Sequence, residues 1–186
     1  MLIQKRILIK TQLPFFNEMD QHPTSLNCEP VNYDFFAGQH ILVGSVSVVN
    51  DNEYVYVTIA TQDGWEIKQT QVYAGPLSGL PGGSGNPKIG NFPYKTAHNP
   101  SVTSFTYKIK LNDFSSDSCF VIATHAEVIK RGIDGNITQE ETAWGSGKQI
   151  SSGGSWATYS EYCKCKSEDK DQEEEENNDN PGSIQG

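Results

Sequence analysis

Long apolar runs are missing from this sequence of 186 residues. No stretch approaches the roughly 18 consecutive apolar residues that cross a bilayer, so membrane insertion is not expected. The amino end, residues 1–10, is apolar but carries Lys5, Arg6 and Lys10. It therefore lacks the continuous apolar centre of a secretory signal.

Basic residues are also scarce, with 14 Lys and Arg against 23 Asp and Glu. The longest basic cluster is Lys130-Arg131, whereas a phosphate-binding face needs several clustered cations. Nucleic acid is therefore not an expected partner. Eight of the 23 acidic residues but only one of the 14 basic residues lie in residues 167–186, so the net charge of −9 belongs mainly to this segment.

Sequence motifs of common enzyme classes are absent as well. The chain has no hydrolase nucleophile elbow, phosphate-binding loop, His-Glu-x-x-His pair or dinucleotide fingerprint. No cofactor is expected. Helical periodicity is equally scarce, because no apolar pattern at helical spacing exceeds about two turns.

Short β-strand patterns fill most of the chain instead. Phe105, Tyr107 and Ile109 alternate with polar residues, which is typical of a strand with one buried face. Seven strands are predicted, with an eighth before Cys28 as an alternative: residues 41–49, 54–61, 65–73, 105–111, 119–130, 137–144 and 156–163. This pattern favours an all-β fold, a two-layer antiparallel β-sandwich, over a closed barrel.

Three regions are predicted along the chain. Residues 1–27 form an N-terminal extension, and residues 28–166 form the β-sandwich domain. Residues 167–186 are acidic and almost without apolar residues, so we expect a disordered tail or a linker. Deleting this segment is expected to leave the stability of the domain unchanged.

The four cysteines predict two disulfides rather than a zinc site. Cys163 and Cys165 are spaced too tightly for a zinc knuckle, and neighbours one residue apart bridge badly. We expect one disulfide to join the start of the domain to its end, between Cys28 and either Cys163 or Cys165. Disulfides would place the protein outside the cytoplasm. If the thiols are free, Cys119 is expected to be a small buried hydrophobe.

A long connection, residues 75–100, contains six Gly and five Pro and is the expected ligand surface. We expect Phe92 to anchor this loop and Tyr94 to stay partly exposed near Trp65 or Tyr73. The predicted ligand-binding residues combine exposed rings with polar partners: Trp65, Tyr73, Asn86, Tyr94, Glu141 and Trp144.

Carboxylates beside aromatic rings suggest sugar chemistry. Glu140 and Glu141 precede Trp144, and rings stack on sugar faces while carboxylates bind hydroxyls. A glycosidase needs two carboxyls at a defined separation, for which Glu141 with either Asp63 or Glu127 is the candidate pair.

Simpler interpretations of the same residues stay open. Trp144 and Trp156 also fit core or sheet-edge positions. His125 and Glu127 lie two apart and so share a strand face, where they would be an acid–base pair or ordinary surface residues.

Two Asn/Asp clusters offer oxygen ligands for a hard cation such as Ca²⁺. They are residues 50–53 and the pair Asp113 and Asp117. Ordinary turn formation is the favoured interpretation of both. Asn136-Ile-Thr138 fits an N-glycosylation acceptor, a pattern that is common by chance.

Several motifs carry a resemblance when taken together. They occur in this order: Val43-Gly-Ser-Val-Ser-Val-Val-Asn-Asp51, Asp63-Gly-Trp65, Gly85-Asn-Pro87, Phe92-Pro-Tyr94, His125-Ala-Glu-Val128 and Glu141-Thr-Ala-Trp-Gly145. Across residues 28–163 the chain resembles an uncharacterised domain that recurs in predicted secreted and surface proteins of bacteria. The resemblance implies an extracytoplasmic location and modular use more than a particular chemistry.

These observations favour a non-enzymatic extracytoplasmic module for binding or adhesion, with carbohydrate as the ligand class. One alternative is a small glycan-acting hydrolase that uses Glu141 with Asp63 or Glu127. Another is a structural spacer domain in a larger surface protein.

Overall fold

The computed structural model describes residues 28–82, 86–113 and 118–165. The predicted N-terminal extension, the acidic tail and the alternative strand before Cys28 lie outside these residues. The described chain is all-β. Its strands are β1 (Val31–Ala37), β2 (Ile41–Asn50), β3 (Tyr54–Thr61), β4 (Trp65–Gly75), β5 (Tyr94–Val102), β6 (Ser104–Lys110), β7 (Cys119–Arg131), β8 (Ile137–Gly145), β9 (Lys148–Gln149) and β10 (Thr158–Cys163).

Helical structure in the described part is limited to three 3-10 turns of three residues each, Leu77–Gly79, Ile89–Asn91 and Leu111–Asp113. No helix in these ranges is long and apolar enough to cross a membrane.

The strands form one antiparallel sheet in the order β5-β4-β7-β8-β1-β2-β3-β6. β7 is 13 residues long and therefore pairs with β8 over its second half and with β10 over its first. The sheet bends back on itself so that β4 and β5 face β6. Tyr94 meets Tyr107 at 6.4 Å between ring centroids, and a hydrogen bond of 2.7 Å joins the Thr70 and Tyr107 hydroxyls.

The main core fills the space between the two layers of this nearly closed sheet. β-branched and aromatic residues dominate it, as the strand patterns require. Its largest fully buried side chains include Phe35, Ile59, Ile67 and Ile109. The predicted all-β, sandwich-like fold is confirmed, whereas the described residues form ten strands rather than the predicted seven or eight.

A β-bulge in β4 changes which face its side chains occupy. Ile67 pairs with Val128 and Gln69 with Glu127, so Lys68 has no partner in the ladder. One extra residue reverses the alternation. Ile67 therefore points into the main core, while Tyr73, which has the same parity in the sequence, points to the opposite face.

A second core covers that opposite face of β4, β7 and β8. Two loops supply the cover, one before β5 and one between β9 and β10. The buried members of this cluster are Tyr73, Leu80, Phe92, Val121, Ala123, Trp144 and Ala157. The outer face of β4, β7 and β8, which strand alternation would assign to solvent, is thus partly buried.

The expectation of a connection running from residue 75 to residue 100 is wrong in extent. β5 begins at Tyr94, so the loop ends at residue 93. Pro100 lies inside β5, a strand at the sheet's end, where prolines are tolerated because an edge strand leaves N–H groups outside the ladder.

β1 was not predicted from the sequence. Its pairing with β2 shifts register between Phe35 and Phe36, and this shift interrupts the alternation of buried and exposed side chains.

Both predicted disulfides are present. Cys28 pairs with Cys165, with Cα atoms 5.9 Å apart, and Cys119 pairs with Cys163. The expectation that the start of the domain is bonded to its end is confirmed. Cys163 and Cys165 have different partners, also as expected, and Cys119 is half of a cross-strand bridge between β7 and β10.

Candidate ligand-binding groove

A row of side chains crosses the outer face of the sheet through four adjacent strands. Gln71 on β4 is paired with His125 on β7, which is paired with Trp144 on β8. Trp144 is in turn paired with Phe36 on β1. Because register partners on antiparallel strands share a face, these four side chains lie side by side.

A groove of about 450 Å³ opens above the Trp144 and Phe36 end of this row. We call it the tryptophan groove. Its lining residues are Phe36, Gln39, His40, Trp144, Ser146, Gly147, Gln149, Trp156 and Thr158. Trp144 is 5% exposed and forms the floor, while Trp156 is half-buried and forms a wall.

The lining combines three aromatic rings with uncharged polar groups. Gln39, Gln149, Ser146 and Thr158 offer amides and hydroxyls, and no Asp, Glu, Lys or Arg side chain contributes. Apolar walls with a few polar groups are characteristic of small-molecule sites, whose volumes are typically about 300–1,000 Å³.

The β1–β2 hairpin supplies one rim of the groove. Gly38 and Gln39 have φ values of 52° and 75°, so the chain turns sharply there. Glycine suits the first position, because φ of 52° disfavours a side chain and a Cβ on Gly38 would lie 3.3 Å from a carboxylate oxygen of Glu141. The turn places Gln39 and His40 beside the Trp144 floor.

The opposite wall comes from the loop between β9 and β10. The Ile150 amide donates to the Ala157 carbonyl at 2.9 Å, which closes the loop at its base. Trp156 lies next to this closure and packs against the second core. Its indole is therefore held beside the groove by a short, closed loop.

His125 supports the groove floor from the side. Its Nδ1 donates to Oε1 of Gln71 at 2.7 Å, and its ring meets Trp144 edge-on at 4.9 Å between centroids. Burial lowers the pKa of His125 to about 4, because the charged imidazolium would lose its hydration. An acid–base pair of His125 and Glu127 on a wet strand face is thus wrong for His125, which is buried.

The expectation that Trp65 and Tyr73 are exposed is wrong. Trp65 is 3% exposed in the main core, on the inner side of the bulge in β4. Tyr73 is 7% exposed in the second core, where its hydroxyl donates to the Pro76 carbonyl at 2.6 Å. Neither ring reaches the tryptophan groove, whereas Trp144, predicted as a ligand residue, forms the floor.

The predicted positions of Phe92 and Tyr94 are confirmed in part. Phe92 is 1% exposed and anchors the long loop against Tyr73 and Trp144, with ring centroids 6.2 and 6.3 Å away. Tyr94 is half-buried as predicted, but it packs against Tyr107 and the main core, on the face of the sheet opposite to Tyr73. Burial raises the pKa of Tyr94.

The predicted carboxylates gather at a separate depression of about 420 Å³, lined by Glu127, Glu140, Glu141 and Thr142. Lys68, the bulged residue of β4, forms a salt bridge with Glu140 at its edge. Asp63, in the β3–β4 turn with φ of 54°, is not part of the lining. Of the two hydrolase pairs, only Glu141 and Glu127 both line this depression. Glu127 pairs with Thr142 and Glu141 with Val128, so their side chains leave opposite faces of the sheet.

The candidate cation ligands of residues 50–53 have other partners: Asn50 Oδ1 accepts from the Tyr162 hydroxyl and the Cys165 amide, and Asp51 serves the turn itself. One Asp51 carboxylate oxygen accepts from the Glu53 and Tyr54 amides, and the other accepts from the Tyr56 hydroxyl at 2.8 Å. These bonds lower the pKa of Asp51 against the opposing effect of burial. Within the described ranges, no group of three or more His, Cys, Asp or Glu could hold a metal ion, and Asp117 lies outside them.

Sequence reasoning missed Phe36, Gln39, His40 and Gln149. Their convergence depends on the pairing of β1 with β8, which are far apart in the chain and meet over three residue pairs only. The one local signal is Gly38-Gln39, a turn dipeptide after an aromatic pair. No protein-family model, curated protein or solved structure matches this chain.

Proposed function

We propose that this protein is a non-enzymatic binding module that takes a neutral carbohydrate in the tryptophan groove. The observation that carries the proposal is the groove's composition. Two tryptophans and a phenylalanine line it together with amide and hydroxyl groups, and its volume is about 450 Å³.

Sugar rings have an apolar face of C–H bonds and an edge of hydroxyls. An indole can stack on the face, and side-chain amides can both donate to and accept from the edge. Trp156 provides the accessible ring, whereas Gln39 and Gln149 provide the amides. The groove thus has both elements that a saccharide requires.

The charge of the lining favours a neutral ligand. A uronic acid or a sialic acid would need a cationic partner, whereas the lining contains no Lys or Arg and His40 is its one titratable side chain. Burying an unpaired charge is costly. The groove is therefore suited to uncharged hexoses or their polymers.

An extracytoplasmic location is part of the proposal. Two disulfides support it, because such bonds persist in oxidising compartments. Adhesion to a glycan-bearing surface is the use that this location and the tryptophan groove favour.

The test is a glycan array probed with the full chain, followed by calorimetry with the saccharide that binds. Trp156→Ala should lower the affinity by about 5- to 30-fold, because stacking on one ring contributes about 1–2 kcal/mol. Ile133→Ala is the matched control, since Ile133 is fully exposed and lies outside the groove.

Equal affinity in Trp156→Ala and the wild type would contradict the proposed site. If the wild type binds no saccharide on the array, this result would contradict the proposed function and favour the spacer alternative.

A hydrolase is the second candidate, because Glu127 and Glu141 line one depression. Incubation with the saccharide that binds, followed by chromatography of the products, separates the two functions. A binding module leaves the saccharide intact. Cleavage that Glu141→Gln abolishes would establish the hydrolase instead.

A further inference from the structure

Ser155, the residue before Trp156, is held by side chains on both sides of its backbone. Its amide donates to Oδ1 of Asn86 at 2.8 Å. Its carbonyl accepts from Nε2 of Gln149 at 3.0 Å. Asn86 belongs to the long loop before β5, 69 residues away in the chain, so this contact ties two loops together.

The approach of Asn86 depends on two glycines. A Cβ on Gly154 would lie 2.9 Å from Asn86 Oδ1, so only glycine leaves room for the side chain there. Gly82 has φ of 111°, and a Cβ on it would lie 2.5 Å from the Asn86 carbonyl oxygen. The Lys88 amide donates to the Pro81 carbonyl at 2.9 Å and closes the base of this part of the loop.

Burial does not explain this arrangement, because Asn86, Gln149 and Ser155 are all exposed. A hydrogen bond that competes with water adds little to global stability. The bond to the Ser155 amide does fix the direction in which Trp156 projects, and Trp156 forms a wall of the groove.

We propose that Asn86 is a positioning residue for the tryptophan groove, fixing Trp156 through the Ser155 amide. The effect on ligand binding rests on the proposed function, whereas the effect on Trp156 itself does not. Asn86 was predicted from the sequence to contact ligand directly. In this proposal Asn86 does not contact the ligand. It contributes to affinity by fixing the position of Trp156.

The chemistry of the bond defines the variants. Asn86 acts through an acceptor oxygen, so Asn86→Asp keeps the bond and Asn86→Leu removes it. Gly154→Ala disturbs the bond from the other side, because the added methyl would lie 2.9 Å from both Asn86 Oδ1 and Ser151 Cβ, so Asn86→Leu is the deciding variant. Asn91→Leu is the control, being an exposed asparagine of the same loop with no side-chain bond to the Trp156 loop.

The first measurement is fluorine NMR of the full chain labelled with fluorotryptophan. The protein has three tryptophans, and Trp156→Phe assigns the Trp156 signal. Asn86→Leu and Gly154→Ala should shift or broaden the Trp156 signal and leave those of Trp65 and Trp144 in place. Asn86→Asp and Asn91→Leu should match the wild type. An unchanged Trp156 signal in Asn86→Leu overturns the proposal, and so does equal perturbation of all three signals.

The second measurement is affinity for the saccharide selected on the array. Asn86→Leu should weaken binding by about 5- to 10-fold, the loss of one net hydrogen bond. The same change in a Trp156→Ala background should have no further effect, because the positioned ring is gone. Full additivity of the two changes overturns the positioning role. If no saccharide binds the wild type, the proposed function fails while the fluorine spectra still decide the role of Asn86.

Discussion

His125 is an imidazole kept neutral by its surroundings. Its closest partners are Gln71 and Trp144, and the titratable residues next along the same sheet face are Tyr73 and Lys95 on β4 and β5 and Glu127 on β7. The neutral ring is satisfied by one bond to an amide oxygen. A second proton would place a charge against an indole in a dry cluster.

Acid should therefore destabilise the protein through His125. The folded-state pKa of about 4 lies below the unfolded value near 6.5, so unfolding takes up a proton at intermediate pH. The contribution is fully present above pH 6.5 and is lost as the pH falls towards 4. We expect a loss of up to about 3 kcal/mol over this window, measured by urea unfolding at several pH values.

His125→Gln is the control for this prediction. Glutamine retains a donor for Gln71 but does not titrate, so its unfolding free energy should fall less between pH 6.5 and pH 4. The carboxylates with lowered pKa, Asp51 and Glu66 among them, are common to both proteins and cancel in the comparison. Parallel pH profiles would show that His125 makes no such contribution.

Single residues were predictable where position along the chain decided their role. Cys28 lies at the start of the strand region and Cys163 and Cys165 at its end, so sequence order predicts a bond from Cys28 to one of the two, and the structure shows that it is Cys165. Trp144 was predicted as a ligand residue from its carboxylate neighbours, yet its actual partners are Phe36, His125 and Phe92. Those partners come from other elements, and nothing local in the sequence specifies them.

The loop before β5 covers part of the outer face of the sheet. Phe92 is its deepest side chain and touches the rings of Tyr73 and Trp144. Phe92→Ala should cost about 3–5 kcal/mol in unfolding free energy, because it removes a fully buried ring and leaves a cavity. Thermal and urea unfolding measure this loss.

Leu77→Ala, in the same loop, is the matched control. Leu77 is 48% exposed, so its truncation should cost less than about 0.5 kcal/mol. Similar losses for the two variants would mean that the loop is not anchored by Phe92.

Strands were predictable from alternation where the ladder is regular and failed where it is not. β2, β3 and β6 pair over seven residues each without interruption, and their predicted ranges agree closely with the structure. β4 contains the bulge at Lys68, so a prediction from strict alternation assigns Tyr73 to the wrong face of the sheet. A bulge is specified by pairing with a distant strand, which the local pattern does not contain.

For the whole molecule, the two disulfides differ in the length of chain they close. Cys28–Cys165 spans 137 residues and Cys119–Cys163 spans 44. Since the entropy removed from the unfolded chain grows with loop length, the first should contribute about 5 kcal/mol and the second about 4 kcal/mol. Cys28→Ser with Cys165→Ser should therefore lower the unfolding free energy at least as much as Cys119→Ser with Cys163→Ser.

Urea unfolding of the two double variants under non-reducing conditions measures the difference. A much larger loss in the Cys119 and Cys163 variant would mean that the bond between β7 and β10 stabilises the folded sheet beyond its effect on the unfolded chain.

The same bond between Cys28 and Cys165 also decides how the molecule responds to tension. Force applied through the segments on either side of residues 28–165 enters and leaves at two Cα atoms 5.9 Å apart, joined by a covalent bridge. The ten strands bear none of that load, because the bridge carries it around them. The chain between the cysteines, which are 137 positions apart, is about 450 Å long when extended and bears no load until the bridge is reduced. Under mechanical stress in an oxidising environment, residues 28–165 therefore do not extend, and the tryptophan groove keeps its shape.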